Sequence, residues 1–129
     1  MENEVKAVVE AYIHMIHTQD KEEFLNVWSL KDTNTLISIG KEFCGPDTIY
    51  NDFVIGGIQK AYSVIDLIND GLDIRFLSDD TAVAVFRYHT ECIKRDNGEP
   101  YSISGLETQI IRRNEQGNWN TYIIPRYNR

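Results

Sequence analysis

Apolar residues in the first part of the chain recur every three or four positions, which predicts a helix from about residue 3 to residue 18 with Tyr12 in its buried face. Asp20, followed three residues later by Glu23, has the pattern of a capping box and predicts the start of a second helix. Gly45-Pro46-Asp47 predicts the start of a third helix, which we expect to stop at Gly56-Gly57.

From residue 61 onward the pattern changes from helical spacing to that of strands. After a short strand at residues 35–39, long strands are predicted at 63–77, 81–94, 101–113 and 119–127. Strands of this length exceed the usual one, so they must curve. Helices first and a long antiparallel meander second predict an α+β fold. Three N-terminal helices would then pack in the concavity of a strongly curved, mostly antiparallel sheet and leave a conical cavity.

Turn chemistry decides which residues share a face of this sheet. The segment 95–99 suits a three-residue loop with Gly98 in the left-handed region, which would pair Arg87 with Glu107. A two-residue Asn97-Gly98 turn would shift the pairing by one residue and exchange the faces. We favour the three-residue loop. The next loop, at residues 114–117, suits a four-residue connection.

With these two loops, one face of the sheet carries clustered charge and the other is nearly uncharged. We expect the charged face to line an amphipathic pocket that binds a small molecule. Its candidate ligand-binding residues, with those of the helices, are Tyr12, Trp28, Tyr50, Arg87, His89, Glu91, Glu107, Gln109, Tyr122 and Arg126.

Several of these side chains have a purely structural alternative. Arg87 and Glu107, opposite each other, would form a cross-strand ion pair. His89 would belong to a hydrogen-bonded network at the mouth of the cavity. Trp28 would be part of the core.

The uncharged face predicts an interface, because a large apolar face on a soluble protein is normally covered. We expect a second copy of the chain to cover it and to form a homodimer; the alternative is that the N-terminal segment does so. The residues expected in this contact are Phe86, Tyr88, Leu106, Thr108, Ile110 and Ile123.

Composition narrows the classes of partner and cofactor. The 129 residues predict a single domain spanning 1–129, with 42% apolar and 26% charged residues and a net charge of −7. This acidity argues against nucleic acid as a partner. We expect neither a signal peptide nor a membrane helix, and a cytoplasmic protein in which Cys44 and Cys92 are reduced. The sequence has neither metal-ligand spacing nor a phosphate-binding loop, so no cofactor is expected.

Short motifs in the last third carry a resemblance to a known family. Ser104-Gly105-x-Glu107-Thr108, then Arg112-Arg113, then Gly117-x-Trp119 stand in the order found in the SnoaL-like branch of the nuclear-transport-factor-2-like superfamily. The chain resembles this family over essentially its whole length. The resemblance implies a cone-shaped, cystatin-like roll that usually forms homodimers through the convex face of its sheet.

The closing strands are also similar to the association domain of calcium/calmodulin-dependent kinase II. That domain has a Glu-Thr-Arg run, a Gly-x-Trp and a final His-x-His-Arg. Here Gln109 replaces the arginine of the run, Ile123 and Pro125 replace the two histidines, and Arg126 matches the last arginine. The arginines of that family line an anionic-ligand pocket. With His89 and Gln109 in two of those places, this chain would have less fixed positive charge and one titratable ring.

The superfamily includes enzymes, and the resemblance implies how they would act. A buried carboxylate or His–Asp pair serves as general base, and a tyrosine or an acid stabilises the developing oxyanion. Glu107 and His89 are therefore the candidate catalytic bases. Three functions stay open: a small-molecule-binding homodimer, a proton-transfer enzyme (isomerase, dehydratase or cyclase type) on a small hydrophobic carbonyl or cyclic substrate, and an oligomerisation or assembly module.

Overall fold

The structure of the chain is a computed structural model that describes residues 1–29, 34–38 and 41–128. Within these ranges it describes all side chains except those of residues 123 and 125–128. The predicted end of the first strand, Ile39 and Gly40, lies outside the described residues.

Two of the predicted helices form where the apolar pattern places them. Helix α1 spans Glu2–Thr18 and buries one side, on which Tyr12 is central. Helix α2 spans Lys21–Val27. The Asp20 carboxylate accepts a hydrogen bond of 3.2 Å from the backbone N–H of Glu23, so the predicted cap is confirmed.

The third helix differs from its prediction. A short helix α3, Pro46–Thr48, continues directly as a π-helix over Ile49–Gln59. The prediction that Gly56-Gly57 would end it is wrong. A Cβ atom at Gly56 would lie only 3.0 Å from the carbonyl oxygen of Asn51, five residues earlier. In a π-helix the backbone bonds from residue i to residue i+5, so glycine here permits a close approach instead of ending the helix.

The strands in the described part of the chain are β1 (Thr35–Ser38), β2 (Lys41–Cys44), β3 (Tyr62–Phe76), β4 (Thr81–Lys94), β5 (Pro100–Tyr101), β6 (Ser104–Arg113) and β7 (Trp119–Asn128). They form one seven-stranded sheet in the order β2-β1-β7-β6-β4-β3, with β5 beside β4. Every pairing of these described strands is antiparallel except that of β1 with β7. The predicted α+β class with a mostly antiparallel sheet is thus confirmed. The sequence analysis missed β2 and predicted β5 and β6 as one strand.

The core lies between the helices and one face of the sheet. Helix α1 packs against β3, β4 and β7. Along β4, Phe86 and Tyr88 are buried on the side of the helices, whereas Arg87 is exposed on the opposite side. We call the side that meets the helices the inner face and the opposite side the outer face.

The predicted pairing of β4 with β6 is wrong by one residue. Glu107 pairs with Phe86, and Arg87 pairs with Leu106. The cause is the loop at residues 95–98, which has four residues because Lys94 N donates to the carbonyl oxygen of Glu99 at 2.9 Å. Gly98 does adopt the predicted left-handed conformation, with φ of 71°. The alternative two-residue Asn97-Gly98 turn would have placed each side chain on its observed face. Its strand pairing differs from the observed pairing by two residues, and a shift of two residues keeps every side chain on the same face.

This correction exchanges the faces of β4. Arg87, His89 and Glu91 lie on the outer face, and Phe86 and Tyr88 lie in the core. The prediction that Phe86 and Tyr88 contact a second copy of the chain is therefore wrong, because both side chains are already covered by the chain's own helices.

The hairpin between β6 and β7 also differs from its prediction. Its loop has three residues, 115–117, because Asn114 N donates to the carbonyl oxygen of Asn118 at 2.8 Å, and Gly117 has a φ of 86°. A register shift between Ile110 and Ile111 follows, and it makes Tyr122 the extra residue of a bulge. The ring of Tyr122, one of the predicted ligand-binding residues, lies 5.9 Å from the Arg112 guanidinium.

The two faces of the sheet respond differently to an added charge. Tyr88→Asp would place a carboxylate in the core, and we expect it to lower the free energy of unfolding by about 4 kcal/mol or more. Leu106→Asp, on the half-exposed outer face, should leave the chain folded. Urea unfolding followed by circular dichroism measures both variants. A Tyr88→Asp protein with the same free energy of unfolding as the parent would contradict the assigned faces.

Candidate functional site

A carboxylate in the centre of the core is the first element of the site. Glu107 lies in β6 on the inner face and is fully buried. The Tyr12 hydroxyl of helix α1 donates to Oε1 at 3.4 Å, a long O–H···O contact, and the Gln109 amide donates to Oε2 at 3.2 Å. Burial of a carboxylate is costly unless such partners compensate it, so these contacts are part of what holds Glu107 in the core.

The hydrogen bonds continue from β6 to β7. The Thr121 hydroxyl donates to Gln109 Oε1 at 2.9 Å. Because the carbonyl side of the amide is used by Thr121, its NH₂ group is directed at Glu107. Tyr12, Glu107, Gln109 and Thr121 are all buried, so the chain of bonds lies in the interior of the protein. We call these four residues the polar chain.

Arg126 is the backbone neighbour of Glu107 on β7. Its side chain lies outside the described part of the structure. The prediction that Arg126 binds a ligand therefore stays a prediction.

A cavity of about 190 Å³ lies beside the polar chain. Tyr12 connects the two, since its side chain is part of the cavity wall while its hydroxyl bonds to Glu107. Thr90, Ser38 and Tyr62 are the other polar residues of the wall. Glu107 does not reach the wall itself. The apolar lining comes from helix α1, the π-helix and the strands, and it includes Ile16, Phe53, Ile58, Ile65, Leu67 and Ile103.

The size of the cavity limits what it can hold. An apolar cavity of about 150 Å³ accommodates benzene. A cavity slightly larger than that fits one ring with a small substituent. Drug-sized ligands usually occupy pockets of about 300 Å³ or more.

Two of the predicted site residues, Trp28 and Tyr50, have structural roles instead. Trp28 is buried and stacks on Phe24, with ring centroids 6.0 Å apart; its Nε1 has no hydrogen-bond partner among the described residues. The Tyr50 hydroxyl donates to the carbonyl oxygen of Gln19 at 2.8 Å, which ties the π-helix to the end of α1. Burial raises the pKa of the Tyr50 phenol. Neither residue lines the cavity.

Three further predicted site residues form a polar cluster on the outer face. His89 Nδ1 lies 2.7 Å from Asp70 Oδ2, and its Nε2 lies 3.7 Å from Glu91. The Asp70 carboxylate, through this hydrogen bond, is the main cause that raises the pKa of His89. Arg87 lies 3.8 Å from Asp73. His89 therefore does not reach the cavity as a base, because the register of β4 directs it to the other side of the sheet.

Of the predicted residues, the structure brings Tyr12, Glu107 and Gln109 together. Sequence reasoning missed Thr121 and Thr90. Thr121 lies two residues after Trp119 on β7, so the two side chains share a face, and both are buried. This spacing was a signal in the sequence that Thr121 faces inward. No group of His, Cys, Asp and Glu in the described ranges is arranged to hold a metal ion. Among those same residues, no helix is long and apolar enough to cross a membrane.

The hydrogen bonds of the polar chain predict how much the free energy of unfolding falls when one hydroxyl group is removed. Thr121→Val leaves Gln109 Oε1 buried without its donor, so the free energy of unfolding should fall by about 1–3 kcal/mol. Thr108→Val is the matched control, since Thr108 lies half exposed on the outer face of the neighbouring strand, and it should change stability by about 0.5 kcal/mol or less. Chemical denaturation decides; equal losses in both variants would contradict the polar chain.

By sequence, no protein-family model and no curated protein matches the chain. Solved structures do match it. A nuclear transport factor 2 (NTF2-like) superfamily protein from Salmonella enterica superposes with a TM-score of 0.92 at 21% identity, over 97% of this chain and 88% of that one. The hexachlorocyclohexane dehydrochlorinase LinA-type3 from Novosphingobium barchaimii gives 0.85 at 12% identity, over 98% and 85%.

A third similar structure is a candidate calcium/calmodulin-dependent protein kinase II association domain from Xanthomonas campestris. Its TM-score is 0.78 at 17% identity, over 95% of this chain and 84% of that one. These similarities confirm at the level of the fold the resemblance found in the sequence. The chain has the NTF2-like fold.

Proposed function

We propose that this NTF2-like chain binds a small, mainly apolar molecule in the cavity beside Tyr12. The observation that carries the proposal is the junction of a cavity of about 190 Å³ with a buried, hydrogen-bonded carboxylate. Ligand sites are typically apolar concavities with a few placed polar groups, and this cavity has that character. The similar fold of a dehydrochlorinase named for a six-carbon ring compound supports a small cyclic ligand.

A second function, proton transfer, is favoured by the contact between Tyr12 and Glu107. Because Tyr12 stands between the carboxylate and the cavity, Glu107 would act through it. The phenol oxygen would accept a proton from the substrate while its own proton passes to Glu107. Such a step belongs to isomerase, dehydratase or cyclase chemistry on a small carbonyl or cyclic compound.

Filling the cavity tests the binding proposal. Leu67 lines the cavity, so Leu67→Phe should weaken the binding of toluene at least about tenfold by occupying part of the space. Leu72, on the same strand but outside the cavity wall, provides the control: Leu72→Phe should bind toluene within about twofold of the parent protein. Titrations followed by nuclear magnetic resonance of the backbone amides measure both. Toluene that shifts no resonance of the cavity wall contradicts the proposal.

We further propose that the partner of the outer face is a second copy of the chain. The centre of this face is apolar and half exposed at Val83, Val85, Leu106 and Ile110. A face of this kind indicates an interface. Of the residues predicted for the contact, Leu106, Thr108 and Ile110 lie on the outer face. The side chain of Ile123 lies outside the described part of the structure.

A charge placed on the outer face tests this dimer. Leu106→Asp should convert a dimer to a folded monomer, because two copies related by a twofold axis would each carry the added carboxylate into the contact. Leu25→Asp is the control, since Leu25 is 41% exposed on helix α2 and is not part of the sheet. Size-exclusion chromatography with light scattering gives the mass. A parent protein that is already monomeric contradicts the proposal.

A further inference from the structure

We propose that a ligand enters and leaves the cavity between the end of the π-helix and the start of β3, at residues 57–62, and that Arg95 sets the rate of this passage. We call residues 57–62 the junction. The inference rests on the proposed function, ligand binding in the cavity, and adds the route of the ligand. Arg95 is a positioning residue, since it bonds to the backbone of the junction and is not among the residues that line the cavity.

The exposure of the cavity wall locates the opening. Most of the described residues that line the cavity are buried, and Ser38, Tyr62 and Ile103 are half-buried. The two exposed ones are Gly57 and Ala61. Gly57 has no side chain and Ala61 has only a methyl group, so the atoms that meet solvent lie next to those that line the cavity. At the junction the cavity is therefore separated from solvent by a few atoms at most.

Glycine at position 57 is not required by the helix. A Cβ atom there would lie 3.6 Å from the carbonyl oxygen of Asp52, which is an ordinary van der Waals contact. At Gly56, by contrast, the added atom would lie 3.0 Å from a carbonyl oxygen. A glycine that the backbone does not need leaves the wall thin at the place where the cavity meets solvent.

Arg95 holds the junction through three hydrogen bonds to backbone carbonyl groups. Its backbone N–H donates to the carbonyl oxygen of Ala61 at 3.0 Å. Its guanidinium donates from Nε to the carbonyl oxygen of Gln59 at 2.9 Å and from Nη2 to that of Tyr62 at 3.0 Å. One side chain thus joins the last residue of the π-helix to the first residue of β3. Its positive charge also lies at the C-terminal end of a helix, where a cation is favourable.

The strand pairing at the junction is irregular. The ladder of β3 with β4 shifts register between Tyr62 and Val64, which separates Tyr62 from the regular part of the ladder. The Tyr62 ring stacks on that of Tyr101, with centroids 6.1 Å apart. Arg95 and Tyr101 belong to the hairpin of β4 and β5, so this hairpin contacts the junction at both its backbone and its ring. Because the contacts of Arg95 are exposed, they open locally without unfolding of the core.

Removing the guanidinium tests the role of Arg95. Arg95→Ala should raise both the entry and the exit rate of toluene about tenfold and leave its dissociation constant within about twofold. Arg95→Lys keeps the charge but not the fork that reaches two carbonyl groups, so its rates should lie between those of the parent and Arg95→Ala. Arg75→Ala is the matched control, since Arg75 is exposed near the other end of β3. Relaxation dispersion and line shapes of the cavity-wall amide resonances give the rates and the dissociation constant.

A bulky side chain at the junction tests the route. Ala61→Trp should slow the entry and exit of toluene about tenfold, because the added ring covers the thin part of the wall. Lys60→Trp is the control, since Lys60 is exposed and adjacent but is not among the residues that line the cavity. Its rates should stay within about twofold of the parent.

The outcomes separate the route, the role of Arg95 and binding itself. Unchanged rates in Arg95→Ala overturn the role of Arg95, and so does a weaker affinity with an unchanged entry rate, which a purely structural contact would give. Unchanged rates in Ala61→Trp overturn the route. A parent protein that binds no toluene overturns the proposed function. If Arg95→Ala does not fold, Arg95→Lys decides the role of the guanidinium.

Discussion

The contact of Tyr12 with Glu107 is the interaction on which the rest of the structure depends. It joins the first helix to the middle of the sheet across 95 positions of sequence, inside the core. A carboxylate in such a place costs several kcal/mol unless polar groups surround it, so the positions of α1, β6 and β7 are coupled by the partners that Glu107 requires. The same requirement keeps polar atoms next to an otherwise apolar cavity. The site is thus a consequence of how the core accommodates one acidic residue.

Much of the fold could be predicted, because long periodic segments carry strong signals. Helix α1, the cap at Asp20 and the long strand β4 all lie where the sequence indicated. Tyr12 and Glu107 could be placed in the site for the same reason. One is central on an apolar helix face, and the other is a charged residue in a buried strand.

The faces of the sheet could not be decided in the same way. Gly98 adopts a left-handed conformation in the real four-residue loop, as it would in the three-residue loop that was expected. The glycine signal therefore did not determine the loop length, and a change of one residue inverts every side chain of a strand. His89 and Tyr88 exchanged roles for this reason. The π-helix could not be predicted either. Two adjacent glycines usually end a helix, but here they lie inside a helix that is wider than an α-helix.

The parallel pairing of β1 with β7 has a consequence for the order in which the chain folds. In the described sheet, β2 joins through β1, and β1 joins through β7, so residues near position 36 wait for residues near position 124. Trp119 likewise bonds to Glu4, 115 positions away. Contacts of such separation form slowly, because the loop they close must lose its entropy first. On a ribosome, β1 and β2 would therefore remain outside the sheet until β7 has emerged, and that interval is when their unpaired backbone groups are open to chaperones or to wrong partners.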